Sequence, residues 1–435
     1  MIEALRNALR LPDLRNKILF TLLVLVVYQF AAHVPVVGVD RGALQALLAQ
    51  GSGIVGVLNL LSGGALANFS VIATGVYPYI TASIILQVLI PVIPRLEAIQ
   101  KEPGGREKLE TYTYYLAIPM SLIQVISQIQ IFNSIIGQPI IPGFGTDILL
   151  TVTVIVTMTA GTFFAVWLGK LITEQGIGNG LSIIIFGGIV ARAPQNLAQL
   201  LTNSTQPIWN LVLFVVITLV SVVIIVTIQE GVRRIPVQYG KRVRGRKQMG
   251  GGSTHIPLKV NGVGMIPLIF AQSIITFPAL IINLFPDGAL KTSVNATFGQ
   301  QQGGLYWLFF FILVVGFTFI YSDIQVGNQK LSENLQRNGG FIPGIRPGQR
   351  TQQYIVRVTR RITLVGALFL GLIAVVPGFV DSLNRTLFPT EQVGGLNAAT
   401  VLAGSGLIIV VGVVIDTLRQ LEAQLVMRNY DKFIR

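Results

Sequence analysis

Cysteine is absent from the 435 residues, so the chain holds no disulfide and no thiolate metal site. Histidine is almost absent: His33 and His255 are far apart in sequence, and an isolated histidine is ordinarily structural, so no metal site is expected. Charge is also scarce. Asp, Glu, Lys and Arg together make up 11% of the chain, against about 25% in a soluble globular domain. A soluble chain of this length would divide into roughly three domains, each with a charged coat. Here there is too little charge to coat even one, which excludes most soluble architectures.

Apolar residues are plentiful, at 52%. Ten runs of at least 17 residues carry no Asp, Glu, Lys or Arg: 18–39, 42–94, 111–146, 148–169, 175–191, 193–229, 260–286, 292–322, 362–380 and 392–415. A bilayer core of about 30 Å takes roughly 20 apolar residues at 1.5 Å rise each. The pattern predicts an all-α integral membrane protein with ten transmembrane helices. Arg6, Arg10, Arg15 and Lys17 precede the first run as they would in a signal peptide. No small-residue cleavage site ends that run, so it is read as a retained first span.

The net charge of +14 is unevenly placed. With one span per run, 28 of the 32 Lys and Arg fall on one side, and only Arg41, Arg192, Lys291 and Arg385 on the other. The positive-inside rule then puts both termini in the cytoplasm. Ten spans divide into two halves of five, and an odd number makes the second half run opposite to the first, which permits an inverted repeat. No ionisable side chain falls in the central part of a span, whereas ion-coupled transporters need such groups. Lys170, Glu230, Asp323 and Asp416 border spans and are read as interfacial anchors. The chain is therefore expected to do no chemistry, to hold no cofactor and to couple to no ion gradient.

The run 42–94 is long enough for two spans, but its first part, GVLNLLSGGALANFSVIATG, is too flexible and polar for a lipid-facing helix. Residues 57–70 read as a short re-entrant segment on the outer side, leading into a span at about 71–93, with an ordinary external loop as the plain alternative. Ile80 and Ile84 in that span share a helix face. A ring of such side chains would suit a gate that stops ions by dewetting. Two cytoplasmic loops stand out. EGVRRIPVQYGKRVRGRKQMGGGSTHIPLKV reads as a projecting basic hairpin with a Gly-rich tip. In the other, DIQVGNQKLSENLQRN suits a polar helix, Pro343 and Pro347 stiffen a turn presenting Arg346, and Thr351 is placed to cap the next helix. The 15 basic residues of these loops exceed what orientation needs and suggest docking of a large acidic partner, RNA or an anionic protein surface.

Four segments carry a family resemblance: LNLLSGGALANFSVIATGVYPYITASIILQVL, ITEQGIGNGLSIIIFGGIVA, RRIPVQYGKR with STHIPLKVN, and FIPGIRPGQRT followed by RITLVGALFL. In order and spacing they resemble the SecY/Sec61-type channel subunits of the general protein translocase. The resemblance implies a clamshell of two inverted five-helix halves, 1–192 and 193–435, around an hourglass pore, with basic loops near 229–262 and 323–361. It implies a pore ring of Ile80, Ile84, Leu181, Ile185, Ile269 and Ile409, with Ile408 as the alternative in the tenth span. A plug near 57–70 would comprise Leu58, Asn59, Leu60, Leu61, Ser62, Gly63, Gly64, Ala65, Leu66, Asn68 and Phe69.

The resemblance also implies lateral opening between spans two and three on one face and seven and eight on the other. Partner-binding residues would be Arg233, Arg234, Lys241, Arg242, Arg244, Arg246, Lys247, Arg346, Arg350, Arg357 and Arg360. The implied partners are SecE-like and SecG-like subunits, the SecA motor ATPase, the ribosome, signal-sequence-bearing nascent polypeptides and anionic phospholipids, with no small-molecule substrate. The expected location is the plasma (inner) membrane. A secondary transporter of small solutes is the competing class. The uncharged spans and long basic loops favour a passive protein-conducting channel driven by an outside motor or ribosome.

Overall fold

The computed structural model describes residues 11–40, 42–44, 62, 65–202, 207–239, 242–244, 247–249, 252–282, 285, 288–299, 304–328, 331–387 and 406–434. Each of the ten uncharged runs contributes an apolar helix. In the N-terminal part these are α1 (Pro12–Ala32), α2 (Tyr77–Leu89), α4 (Gly105–Ile136), α5 (Ile148–Gln175) and α6 (Gly180–Thr202). A short amphipathic helix, α3 (Pro94–Lys101), lies between α2 and α4. In the C-terminal part they are α7 (Pro207–Glu230), α8 (Ile266–Ile282), α10 (Gly304–Asn328), α12 (Gln349–Leu387) and α13 (Leu407–Ile434). Two short helices, α9 (Ala289–Val294) and α11 (Leu331–Arg337), occupy connections.

Local chemistry fixes the helix ends. Proline opens α1, α2 and α3, where its missing N–H costs no hydrogen bond. The Asp147 carboxylate accepts the backbone N–H groups of Leu149 and Leu150 at 3.0 and 3.4 Å, capping α5. Among the described residues, five helices are long and apolar enough to cross a membrane. A sixth span results if α2 and α3 count as one, although they meet at a bend of 101°. The span expected at about 71–93 is therefore shorter: Val71–Val76 is tightly turned backbone, and the helix breaks after Leu89, before Pro94. Helix α8 is short at 17 residues, yet most of its length is buried in protein, where a full bilayer crossing is not required.

The outward faces of the long helices are apolar. Leu22, Leu23 and Val26 on α1, Val152 and Val156 on α5, Leu219 and Val223 on α7, and Leu308 and Ile312 on α10 are all exposed. Exposed apolar surface on this scale suits lipid and not water. Glycine permits the closest crossings. A Cβ on Gly180 would collide with the Gly169 carbonyl, and one on Gly161 with the Val71 carbonyl, so neither position has room for a side chain. The charges read as simple interfacial anchors do more than snorkel, because they pair between helices. Lys170 meets Glu110 at 3.1 Å, Arg360 meets Asp323 at 3.0 Å and Arg419 meets Glu230 at 3.2 Å.

The two basic loops form one body. Strands β1 (Val232–Tyr239) and β4 (Ser253–Lys259) pair antiparallel from Val232↔Lys259 to Gln238↔Ser253, as the hairpin reading requires. At the tip, β2 (Arg242–Arg244) pairs with β3 (Lys247–Met249). The second loop then adds β5 (Gly340–Phe341), whose Phe341 and Gly340 pair with Gln238 and Tyr239, giving the order β4-β1-β5. Along β1, Ile235 and Val237 are buried while Arg234, Pro236 and Gln238 are exposed, the alternation of a half-covered sheet. The buried pair packs with Leu335 of α11, Ile342, and Ile355 of α12.

Candidate functional site

Four helices converge on one apolar centre. Ile80 and Ile84 of α2, Ile185 of α6, Ile269 of α8, and Ile408 and Ile409 of α13 belong to a single buried cluster, with Leu181 of α6 packed against it. These helices come from both expected halves. Ile80 is 9% exposed and Ile84 1%, so the i, i+4 spacing does place both on one inward face. Ile408 and Ile409 are equally buried, at 1% each. With no charge among them, the side chains meet by dispersion and shape alone. Such a constriction resists ions because water, and any ion that needs it, gains nothing by entering.

The Gly-rich segment lies against this centre. Of the expected plug residues, Leu58, Asn59, Leu60, Leu61, Gly63 and Gly64 lie outside the described residues. Ser62 is buried, and its carbonyl accepts the Tyr28 hydroxyl of α1 at 2.7 Å. The Leu66 N–H donates to Ser62 Oγ at 3.2 Å, opening a single 3-10 turn over Ala65–Asn68. Ala65 joins the isoleucine cluster, while Leu66 and Phe69 join a second cluster with Ile129 and Phe132 of α4 and Met158 of α5. The segment thus bridges the two apolar clusters.

Asn68 Nδ2 donates to the Ala32 carbonyl at 3.2 Å, and Pro35 bridges Ser70. Phe69 is fully buried, sits edge-on to the Phe132 ring at 5.8 Å, and holds a positive φ of 42°. A bulky residue in that left-handed region is strained by roughly 1–2 kcal/mol.

A polar contact joins α2 to α8. The Tyr77 hydroxyl donates to the Ser273 carbonyl at 2.8 Å and lies 2.7 Å from Thr276 Oγ1, all within buried surroundings. Sequence reasoning missed this bond. Tyr77 adjoins the Gly-rich segment and Thr276 is one of many hydroxyls in spans, so nothing local pairs residues 199 positions apart. The Tyr28–Ser62 bond was missed for the same reason.

At the cytoplasmic face expected from the charge count, Arg233 and Arg234 are exposed on β1, and Arg346 and Arg350 are exposed around the start of α12. Arg357 and Arg360 project from the next turns of α12 and are also exposed. Arg242, Arg244 and Lys247 are placed in the tip ladder by their backbone, and Lys241 and Arg246 lie outside the described residues. The expected turn around Arg346 is real, closed by the Ile345 N–H on the Ile342 carbonyl at 3.0 Å, with Gly344 at φ 80°.

Thr351 is not the cap that was expected. Helix α12 already begins at Gln349, and the Thr351 hydroxyl donates back to the Arg346 carbonyl at 2.9 Å, tying the turn to the helix. At the foot of β4, burial and the neighbouring Arg419 push the Lys259 ammonium below its ordinary pKa. Among the described residues, no cluster of His, Cys, Asp and Glu is arranged to hold a metal.

Comparison with known proteins agrees with this arrangement. The SecY family model matches residues 70–418. The Protein translocase subunit SecY of Halalkalibacterium halodurans is 40% identical, and that of Streptomyces galbus 41%, each over the full length of both chains. A solved structure described as that of a protein conducting channel superposes with a TM-score of 0.63 at 16% identity, covering 95% of this chain and 93% of its own. A second solved structure, concerned with the plug domain of the SecY protein, gives a TM-score of 0.61 at 17% identity over 95% and 92%. With the family's pattern matched across most of its length and its relatives matched end to end, this chain belongs to the SecY family of protein translocase subunits.

Proposed function

We propose that the chain is the pore-forming subunit of a protein translocase, passing unfolded secretory polypeptides across the membrane and releasing transmembrane segments sideways into lipid. One observation carries this reading above the others. Helices from both halves meet in an uncharged isoleucine centre, and Ala65 of the Gly-rich segment packs against it. That is the form of a constriction with a stopper and not of a solute site, which would place polar groups at the midplane. Ile80, Ile84, Leu181, Ile185, Ile269 and one of Ile408 and Ile409 form the ring, and residues 57–70 form the plug.

The closed seam between α2 and α8, held by Tyr77, is the exit toward lipid. Work comes from outside the chain. The basic body of β1–β5 and the Arg346 turn dock an ATP-driven motor of the SecA kind or the ribosome, and small SecE-like and SecG-like subunits brace the two halves. The chain resides in the bacterial inner membrane with both termini cytoplasmic, as its Lys and Arg distribution favours.

The test is to stall a secretory polypeptide midway in vesicles bearing a photo-crosslinking residue at Ile84 or at Ile269. Crosslinks to the stalled chain are expected from both positions. Absence of both, with crosslinks instead from exposed α1 positions such as Leu22, would remove the polypeptide from this centre and defeat the proposal.

A further inference from the structure

Arg357 and Arg361 of α12 line a cleft of about 690 Å³ with Gln352 and with Phe319 of α10, and Leu364 forms its membrane-side wall. We propose that this cleft is a binding site for the phosphate headgroup of an anionic phospholipid of the inner leaflet. The assignment rests on the reading above that this end of the molecule faces the cytoplasm.

The charge is arranged for an anion. Arg360, also in the lining, is bound to Asp323 through both guanidinium nitrogens, Nε to Oδ1 at 3.2 Å and NH2 to Oδ2 at 3.0 Å. That pair fixes one wall of the cleft and uses its carboxylate. Among the described residues, no acidic side chain lies within ion-pair distance of Arg357 or Arg361, which stand one helical turn apart on the same face. The site therefore offers two free guanidinium groups to one ligand, and planar guanidinium forks match phosphate oxygens.

The apolar side of the cleft selects the source of the phosphate. Leu364, Leu368 and Leu372 follow at four-residue steps along α12 and are 51%, 43% and 56% exposed. They make a stripe running from the arginines along the lipid-facing surface, where an acyl chain would lie below its headgroup. A soluble protein or RNA has no part that would cover this stripe, and a free phosphate leaves it bare. Arg357 and Arg360 therefore do different work from Arg346: they sit at the membrane surface, whereas Arg346 sits on the projecting turn.

The full chain, purified with its companion subunits and stripped of lipid, is offered equal amounts of phosphatidylglycerol and phosphatidylcholine, and the retained lipid is counted by native mass spectrometry. The wild-type protein should select phosphatidylglycerol; equal retention of the two would overturn the site without any variant. R357Q/R361Q should lower phosphatidylglycerol retention about tenfold, two near-surface charges contributing about 1 kcal/mol each, while R346Q should leave it unchanged. Unchanged retention in the double variant, or an equal loss in R346Q, would overturn the proposal. Inorganic phosphate should fail to displace the lipid, and displacement would make this a free-anion site instead. Loss of motor binding by R357Q/R361Q in phosphatidylcholine vesicles, with lipid retention intact, would assign the pair to a protein. Lipid retention does not depend on transport, so failure here leaves the channel reading standing, and failure of the crosslinking test leaves this site standing.

Discussion

Single side chains decide whether the centre is sealed. Ile84 is almost completely buried and Ile80 nearly so, and each presents only methyl and methylene groups to the others in the cluster. Replacing both by asparagine would place two amides where no partner waits, at a cost of ~1–3 kcal/mol each unless water enters. Water is the cheaper solution, and wetting is what such a constriction prevents. I80N/I84N is therefore expected to raise resting ion conductance in planar bilayers while the protein still folds; a conductance equal to that of the wild-type channel would remove these residues from the gate. Helical spacing in the sequence was enough to put Ile80 and Ile84 on one face. The other members of the ring came from family resemblance alone, since no periodicity relates Ile84 to Ile269.

The elements show what a linear reading joins and what it separates. The hairpin of β1 and β4 was legible because β-compatible stretches flank a Gly-rich tip, and its register follows from it. The contribution of β5 was not legible, because two residues, Gly340 and Phe341, carry no strand signal, and their partners lie about a hundred positions earlier. Through that pairing the Arg346 turn is fastened to β1 and, by the Thr351 hydroxyl, to α12. A partner gripping Arg346 thus acts on the cytoplasmic ends of α7, α8, α10 and α12 together. Reversing the charge in R346E should abolish motor-driven secretion in vesicles supplied with ATP, with the exposed side chain changed and the buried Ile235, Val237 and Ile342 contacts kept. Normal secretion by that variant would sink the docking role. The helix ends show the same division: the Asp147 cap and the opening prolines are local and readable, whereas the 101° turn after α2 is set by packing.

At the scale of the whole molecule, the question is what keeps the two halves together without preventing their separation. Lipid is as apolar as the isoleucine centre, so apolar burial drives the halves together only weakly, and close packing with a few polar bonds must do the rest. Tyr77 supplies such a bond across the α2–α8 seam. Y77F keeps the ring and removes the hydroxyl, weakening closure by about 1 kcal/mol, or roughly fivefold in the balance between closed and open. The expected result is more export of a precursor whose signal sequence is too weakly apolar for the wild-type channel; unchanged export would show that the seam does not depend on Tyr77. The ten spans and their orientation were legible from where charge is missing, but the meeting of the halves was not, because contacts between distant spans leave no mark in one sequence. Phe69 adds a last consequence. Its left-handed backbone is held only while its ring is wedged against Phe132, so the stopper is a sprung catch. Departure releases the tension and reseating must wind it up again, so the channel should open readily once its catch is touched and close more slowly than it opens.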